Sequence, residues 1–174
     1  MPVAATPRLV IRRFRLEDAG FVLRLLNEPS FIENIADKGV RTREQAVAYL
    51  RDGPLASYRD HGHGLYLVAG RDTLEPMGMC GLVRRDYLDA PDLGYAFLPE
   101  FVGRGYASEA CAAVLDHGRR DLGLARFLAI VSPGNRRSTG LLERLGFGRR
   151  GLVRAPGETE DLVLFELAPA AAIP

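Results

Sequence analysis

The chain has 174 residues, 47% hydrophobic and 26% charged, with a formal charge of +1 at pH 7 and two cysteines. That length predicts one domain, residues 1–168, able to bury roughly 68–70% of its unfolded surface without disulfides or a metal. Two thiols outside any Cys/His spacing argue against a disulfide framework, no apolar run approaches the ~18 residues of a membrane span, and residues 1–7 lack a signal-peptide order, so a cytoplasmic location is expected.

Residues 8–14 read as a strand through Leu9, Ile11 and Phe14. Leu16, Glu17 and Asp18 open a helix with an apolar stripe of Phe21, Val22, Leu25 and Leu26, and Pro29 is expected to end it. A second helical region covers about 43–59, with Ala46, Val47 and Leu50 on one face and an interruption at Gly53-Pro54. Residues 64–70 and 77–84 read as antiparallel strands, and 92–98 as a third strand after the turn at Asp89-Ala90-Pro91. A glycine-rich loop then opens a helix reaching about Leu122, with Ala107, Ala110, Cys111, Val114 and Leu115 at spacings of three and four. A buried strand at 127–131, a helix at 136–145 stopped by Gly146, and strands at 147–153 and 162–167 complete the order. Residues 169–174 read as a disordered tail, no segment repeats, and the class is α/β with a mixed central sheet.

Charge is uneven along this order. Residues 101–154 hold ten arginines against Glu109, Asp116, Asp121 and Glu143, a balance of +6 that leaves −5 for the remainder. The basic half contains the loop Phe101-Val102-Gly103-Arg104-Gly105-Tyr106, which ends a strand and begins a helix. A helix start carries unpaired N–H groups and the positive end of the macrodipole, so this loop is an anion site and suggests a phosphorylated ligand. The acidic remainder fits a cationic co-substrate such as an amine, or plain solvated surface.

Two chemistries fall short. A dinucleotide fingerprint would place a third glycine where Ser108 stands and would sit in a first βαβ unit, and the GK[ST] ending of a Walker loop is absent. A metal site at His61, His63 and His117 lacks a carboxylate or third ligand at useful spacing.

A second motif, Asn135-Arg136-Arg137-Ser138 running to Leu145-Gly146-Phe147, changes the balance. With Leu93-Gly94-Tyr95 and Gly103-Arg104-Gly105-Tyr106-Ala107-Ser108-Glu109-Ala110, in this order and spacing, the chain resembles the GNAT acetyltransferase superfamily, specifically its RimJ/RimL-type branch. The element order carries the resemblance over residues 8–167, and Glu100 departs from a loop that often has Gln or Arg there.

The resemblance implies a mixed central sheet with a splayed strand pair, helices on both faces, and acetyl-CoA as co-substrate with no metal. Gly103 to Ser108, including Gly105, Tyr106 and Ala107, would give amides to the pyrophosphate, with Arg104 adding charge or simply facing solvent. Phe97 and Leu98 would offer the open strand edge to the pantetheine arm and a backbone N–H to the oxyanion. Tyr95 reads as an ordinary core or cleft aromatic. Asn135 would cap its helix or touch the pantetheine arm, and Ser138 would face the CoA sulfur. Asp92 would act as base through a water, or only form a turn.

The expected activity is therefore direct acetyl transfer to an amine, a protein N-terminal α-amine or a small molecule, with no covalent enzyme intermediate. The alternatives are a non-catalytic CoA-binding or sensing domain and a small-molecule amine acyltransferase. Membrane and nucleic acid are not expected partners, and a homodimer is left open.

Overall fold

In a computed structural model, residues 1–169 are described. Of the expected tail, 170–174 lie outside the described residues, and Pro169 is exposed and in neither helix nor strand.

The strands are β1 (Ala4–Ala5), β2 (Leu9–Arg13), β3 (Leu65–Gly70), β4 (Pro76–Val83), β5 (Asp92–Phe97), β6 (Phe127–Val131), β7 (Gly148–Val153) and β8 (Leu162–Leu167). They form one sheet in the order β1-β2-β3-β4-β5-β6-β8-β7. β1 is too short to show a period in the sequence; it pairs with Val10 and Ile11 of β2. All neighbours are antiparallel except β5 and β6, which run parallel and share a single register pair, Asp92 with Leu128. Beyond that pair the two strands part, giving the splayed pair that the resemblance implies.

Helices α1 (Ala19–Leu26), α2 (Pro29–Asn34), α3 (Arg43–Leu50) and α4 (Ala56–His61) precede β3, α5 (Tyr106–Arg120) precedes β6, and α6 (Arg136–Arg144) precedes β7. Strand alternation sends side chains to opposite faces. Tyr66, Val68, Cys80 and Leu82 therefore pack with Cys111, Val114 and Leu142 of α5 and α6. Leu67, Ala69 and Met79 pack on the other face with Val22, Leu25, Leu26 and Leu50 of α1 and α3. Helices thus cover both faces.

Two expectations are corrected. Pro29 does not end the first helix; α1 stops at Leu26, and Pro29 occupies the first turn of α2. A first-turn proline loses no helical hydrogen bond and arrives with φ already set. Gly53-Pro54 does not interrupt the second helical region either. A π turn, Arg51–Leu55, carries the path from α3 into α4. Its wider winding accommodates Pro54, which has no N–H to give an α-helical bond. The first helix also starts as a 3-10 turn, Leu16–Asp18, before α1 begins.

Candidate active site

The splay between β5 and β6 positions the site. Leu98 N–H donates to the Met77 carbonyl at 2.9 Å, so the edge toward β4 is satisfied there. Antiparallel pairing alternates, and Phe97, opposite Gly78, therefore turns its N–H and C=O away from β4 toward the gap. Of the two edge residues expected, Phe97 faces the opening. Leu98 has no free N–H, and its side chain is buried among the core residues on the α1–α3 face.

After β5, a 3-10 turn (Pro99–Phe101) leads into the loop. Glu100, which departs from the usual motif, accepts a 2.6 Å hydrogen bond from Arg24 of α1 and so ties the loop to that helix. Gly103 and Gly105 have φ of +83° and +81°, a left-handed backbone that disfavours a Cβ. They fold the chain back so that α5 starts at Tyr106 with no side chain capping it. The N–H groups of Tyr106, Ala107 and Ser108 then have no intrahelical acceptor. All three residues line a cavity of about 450 Å³ together with Gly103, Gly105 and Phe97. Arg104 is exposed and does not line it.

Helix α6 closes the opposite wall. Asn135 caps it, its Oδ1 accepting from Ser138 N–H at 3.2 Å, so the capping role expected from position is filled. Both residues also face the cavity, beside Arg137 and Leu141. A second cavity, about 470 Å³, adjoins the first and is lined by residues of both β5 and β6. It contains Asp92, Arg85 and Lys38, and its rim takes Glu33 from α2 and Glu158 and Glu160 from the loop before β8. Tyr95, Asn135 and Ser138 belong to both cavities, as do Asn34 and Ile35.

Asp92 is 1% exposed and bonded to Arg85 Nε at 2.9 Å. Burial raises its carboxyl above the ordinary range, and Arg85 only partly offsets that. Tyr95, which the sequence reads as a core or cleft aromatic, lines both cavities. Its hydroxyl is buried and makes no hydrogen bond of good geometry among the described residues, although Ser138 lies near enough to lower its pKa. Burial pushes that hydroxyl well above the ordinary tyrosine range, with Ser138 the chief group drawing it back. It therefore stays a proton donor at neutral pH. An aromatic within an apolar strand gives no hint of this, because whether its hydroxyl finds a partner depends on α6.

These features bring together a free strand edge, an uncapped helix start and a serine on a capped helix. A profile of the GNAT acetyltransferase domain matches residues 8–148. The chain belongs to the GNAT acetyltransferase family. The ribosomal protein uS5 alanine N-acetyltransferase of Escherichia coli is 30% identical over 174 residues, covering 93% of this chain and 88% of that protein. The uncharacterized N-acetyltransferase YoaA of Bacillus subtilis is 28% identical over 155 residues, 88% of this chain and 86% of that one. RimL, a ribosomal L7/L12 α-N-protein acetyltransferase solved in complex with coenzyme A, shares the fold at a TM-score of 0.83 and 18% identity, over 99% of this chain and 100% of that one.

In this GNAT acetyltransferase, neither cysteine is placed to be a nucleophile. Cys80 and Cys111 are fully buried with their sulfurs 3.7 Å apart, and burial pushes the Cys111 thiol well above its ordinary value. Two of the three histidines are engaged in the fold. His63 Nδ1 bonds the Leu82 carbonyl at 2.8 Å, and His117 Nδ1 lies 2.7 Å from Asp121. Among the described residues no helix is long and apolar enough to cross a membrane.

Proposed function

We propose that this chain moves an acetyl group from acetyl-CoA to an amine by direct attack, the donor lying in the first cavity and the acceptor in the second. The observation that carries this is the junction: two adjoining cavities beside the β5–β6 splay share Tyr95 and Ser138. The residues present suit acetyl-CoA. The free N–H groups at the start of α5 suit its pyrophosphate, the open edge of Phe97 suits an amide-bearing arm, and the orphaned Tyr95 hydroxyl suits a carbonyl or sulfur. When bound, acetyl-CoA supplies an activated thioester.

The chain's own residues then divide the work. Phe97 N–H and Tyr95 Oη stabilise the carbonyl oxygen as charge builds on it. Ser138 donates a hydrogen bond to the departing sulfur, which needs little help because a thiol has a pKa near ~8.5. Asp92 takes the amine proton through a water, and its raised pKa makes it a better base than an ordinary aspartate. The rim glutamates Glu33, Glu158 and Glu160 favour a cationic acceptor. An α-amine, pKa ~7.7–8, costs about 1 kcal/mol to deprotonate at pH 7, against over ~4 kcal/mol for a lysine at ~10.4. With one buried carboxylate as base, an α-amine is the easier acceptor, and a protein N-terminus accords with the relatives that act on ribosomal proteins.

Incubation of pure protein with acetyl-CoA and a panel of N-terminal peptides and small amines, followed by mass measurement of the products, tests the proposal. Acetylated α-amine is expected, and no CoA release with any amine would overturn it. The role of Asp92 makes a signed pH prediction. Activity rises as Asp92 ionises, so kcat/KM has an acid limb above the ordinary aspartate range of ~3.9. Arg85→Gln removes the cation that lowers Asp92 and moves this limb to higher pH, whereas Asp92→Asn abolishes it and costs about a hundredfold in rate. The acceptor's own titration appears alike in all three proteins and so separates from the Asp92 limb. A limb identical in wild type, Arg85→Gln and Asp92→Asn would remove Asp92 from the mechanism.

A further inference from the structure

The chain segment entering β2 lies against the start of α5. Thr6 Oγ1 donates to Glu109 Oε1 at 2.5 Å, and Arg8 N donates to the same oxygen at 3.2 Å. Arg8 Nε and Nη2 both reach Glu109 Oε2 at 2.7 Å. Arg8 Nη1 donates to the Arg104 carbonyl at 2.9 Å, and the guanidinium lies 4.3 Å over the Tyr106 ring. One side chain thus touches the carbonyl before Gly105, the first helical residue and the acid of the first turn.

From this geometry we infer that Arg8 is a positioning residue for the pyrophosphate loop, acting on the donor without touching it. The inference rests on the reading that the first cavity holds the pyrophosphate of acetyl-CoA. In a planar trans peptide the C=O and the following N–H point in opposite directions. Arg8 holds the Arg104 carbonyl on its own side, which turns the Gly105 N–H the other way, and Gly105 lines the cavity. Gly105, lacking a Cβ, leaves that peptide more freedom than any other residue would, and the Arg8 contact restrains it in the left-handed turn. Arg8 also removes a repulsion. Glu109 sits in the first turn of the helix that would meet a polyanion, and Arg8 neutralises it with a two-point contact. Burial alone would raise the Glu109 carboxyl, but the bonds from Thr6 and Arg8 hold it below its ordinary value.

Because the effect is confined to the pyrophosphate, the test compares two donors. Wild type, Arg8→Ala and Arg8→Lys are assayed with acetyl-CoA and with S-acetylpantetheine, which has the same thioester arm and no pyrophosphate. In Arg8→Ala the ratio of kcat/KM for acetyl-CoA to that for S-acetylpantetheine is expected to fall about tenfold, through KM for acetyl-CoA. Arg8→Lys, which keeps the charge and loses the fork, should retain less than about half of the wild-type ratio. A merely structural role would lower both donors alike and leave the ratio at its wild-type value. That result, or full recovery in Arg8→Lys, overturns the inference. Calorimetric titration of CoA into the same three proteins separates the two levels of argument. A wild type that binds no CoA refutes the proposed function, and a wild type that binds CoA no better than Arg8→Ala refutes the role of Arg8 alone.

Discussion

Replacing Tyr95 with Phe is expected to slow turnover about a hundredfold while leaving the protein at least as stable as wild type. Most substitutions at buried positions weaken a fold, and the opposite sign here follows from the orphaned hydroxyl. A buried polar group without a partner costs about 1–3 kcal/mol, and Tyr95→Phe deletes that group while keeping the ring. The same hydroxyl is held protonated by burial at the junction of the two cavities, where the reaction would take place. Because Tyr95 lines both cavities, a substrate atom there can accept the hydroxyl proton. Thermal melting in the absence of donor, set beside kcat at saturating acetyl-CoA, reads both effects at once. A fall in melting temperature together with unchanged kcat would show that the hydroxyl has a structural partner instead. Ser138→Ala should also lose rate with donor affinity little changed. The double variant should lose less than the product of the two single losses, because both groups act on the same few atoms.

Gly81→Ala should be the most damaging single methyl addition in the sheet. A Cβ at Gly81 would lie 2.0 Å from the Gly64 carbonyl oxygen and 2.6 Å from Leu65 Cα, both backbone atoms of the paired strand region. No rotamer relieves a clash with backbone, so β3 and β4 must separate at the centre of the sheet. The cost is about 3 kcal/mol or more, which lowers the melting temperature of a chain this size by about 6–12 °C. Gly148→Ala is the matched control, since nothing lies within 4 Å of a Cβ there and the residue is exposed in β7 of the same sheet. It should melt no lower than wild type. Equal melting temperatures for the two variants would mean that the strands are less closely apposed than these distances state.

Much of the site is legible in the chain itself. The turn at Gly103 and Gly105, the helix start at Tyr106 and the Asn135 cap are all signalled within a few residues, and each is found where the spacing puts it. The departures have local causes of another kind. Proline marks both the end of one helix and the first turn of the next, and at Pro29 the second use applies. At Leu98 the sequence suggests a free strand edge, but alternation gives its N–H to Met77 and leaves Phe97 toward the gap.

What the sequence determined by itself is therefore the longer elements, their order and the positions of turns and caps, because periodicity, glycine spacing and caps act over one or two turns of chain. The tertiary structure alone decided which polar groups are paired. Among the described residues the Tyr95 hydroxyl makes no hydrogen bond of good geometry, Asp92 is buried where β5 joins β6, and Arg8 meets Glu109 and Arg104 across sequence separations of 101 and 96 residues. A side chain carries its donors and acceptors in its own chemistry, but whether burial satisfies or strands them depends on elements brought together from distant parts of the chain. In this acetyltransferase Arg8, proposed to hold the loop, owes its contacts to that long-range packing.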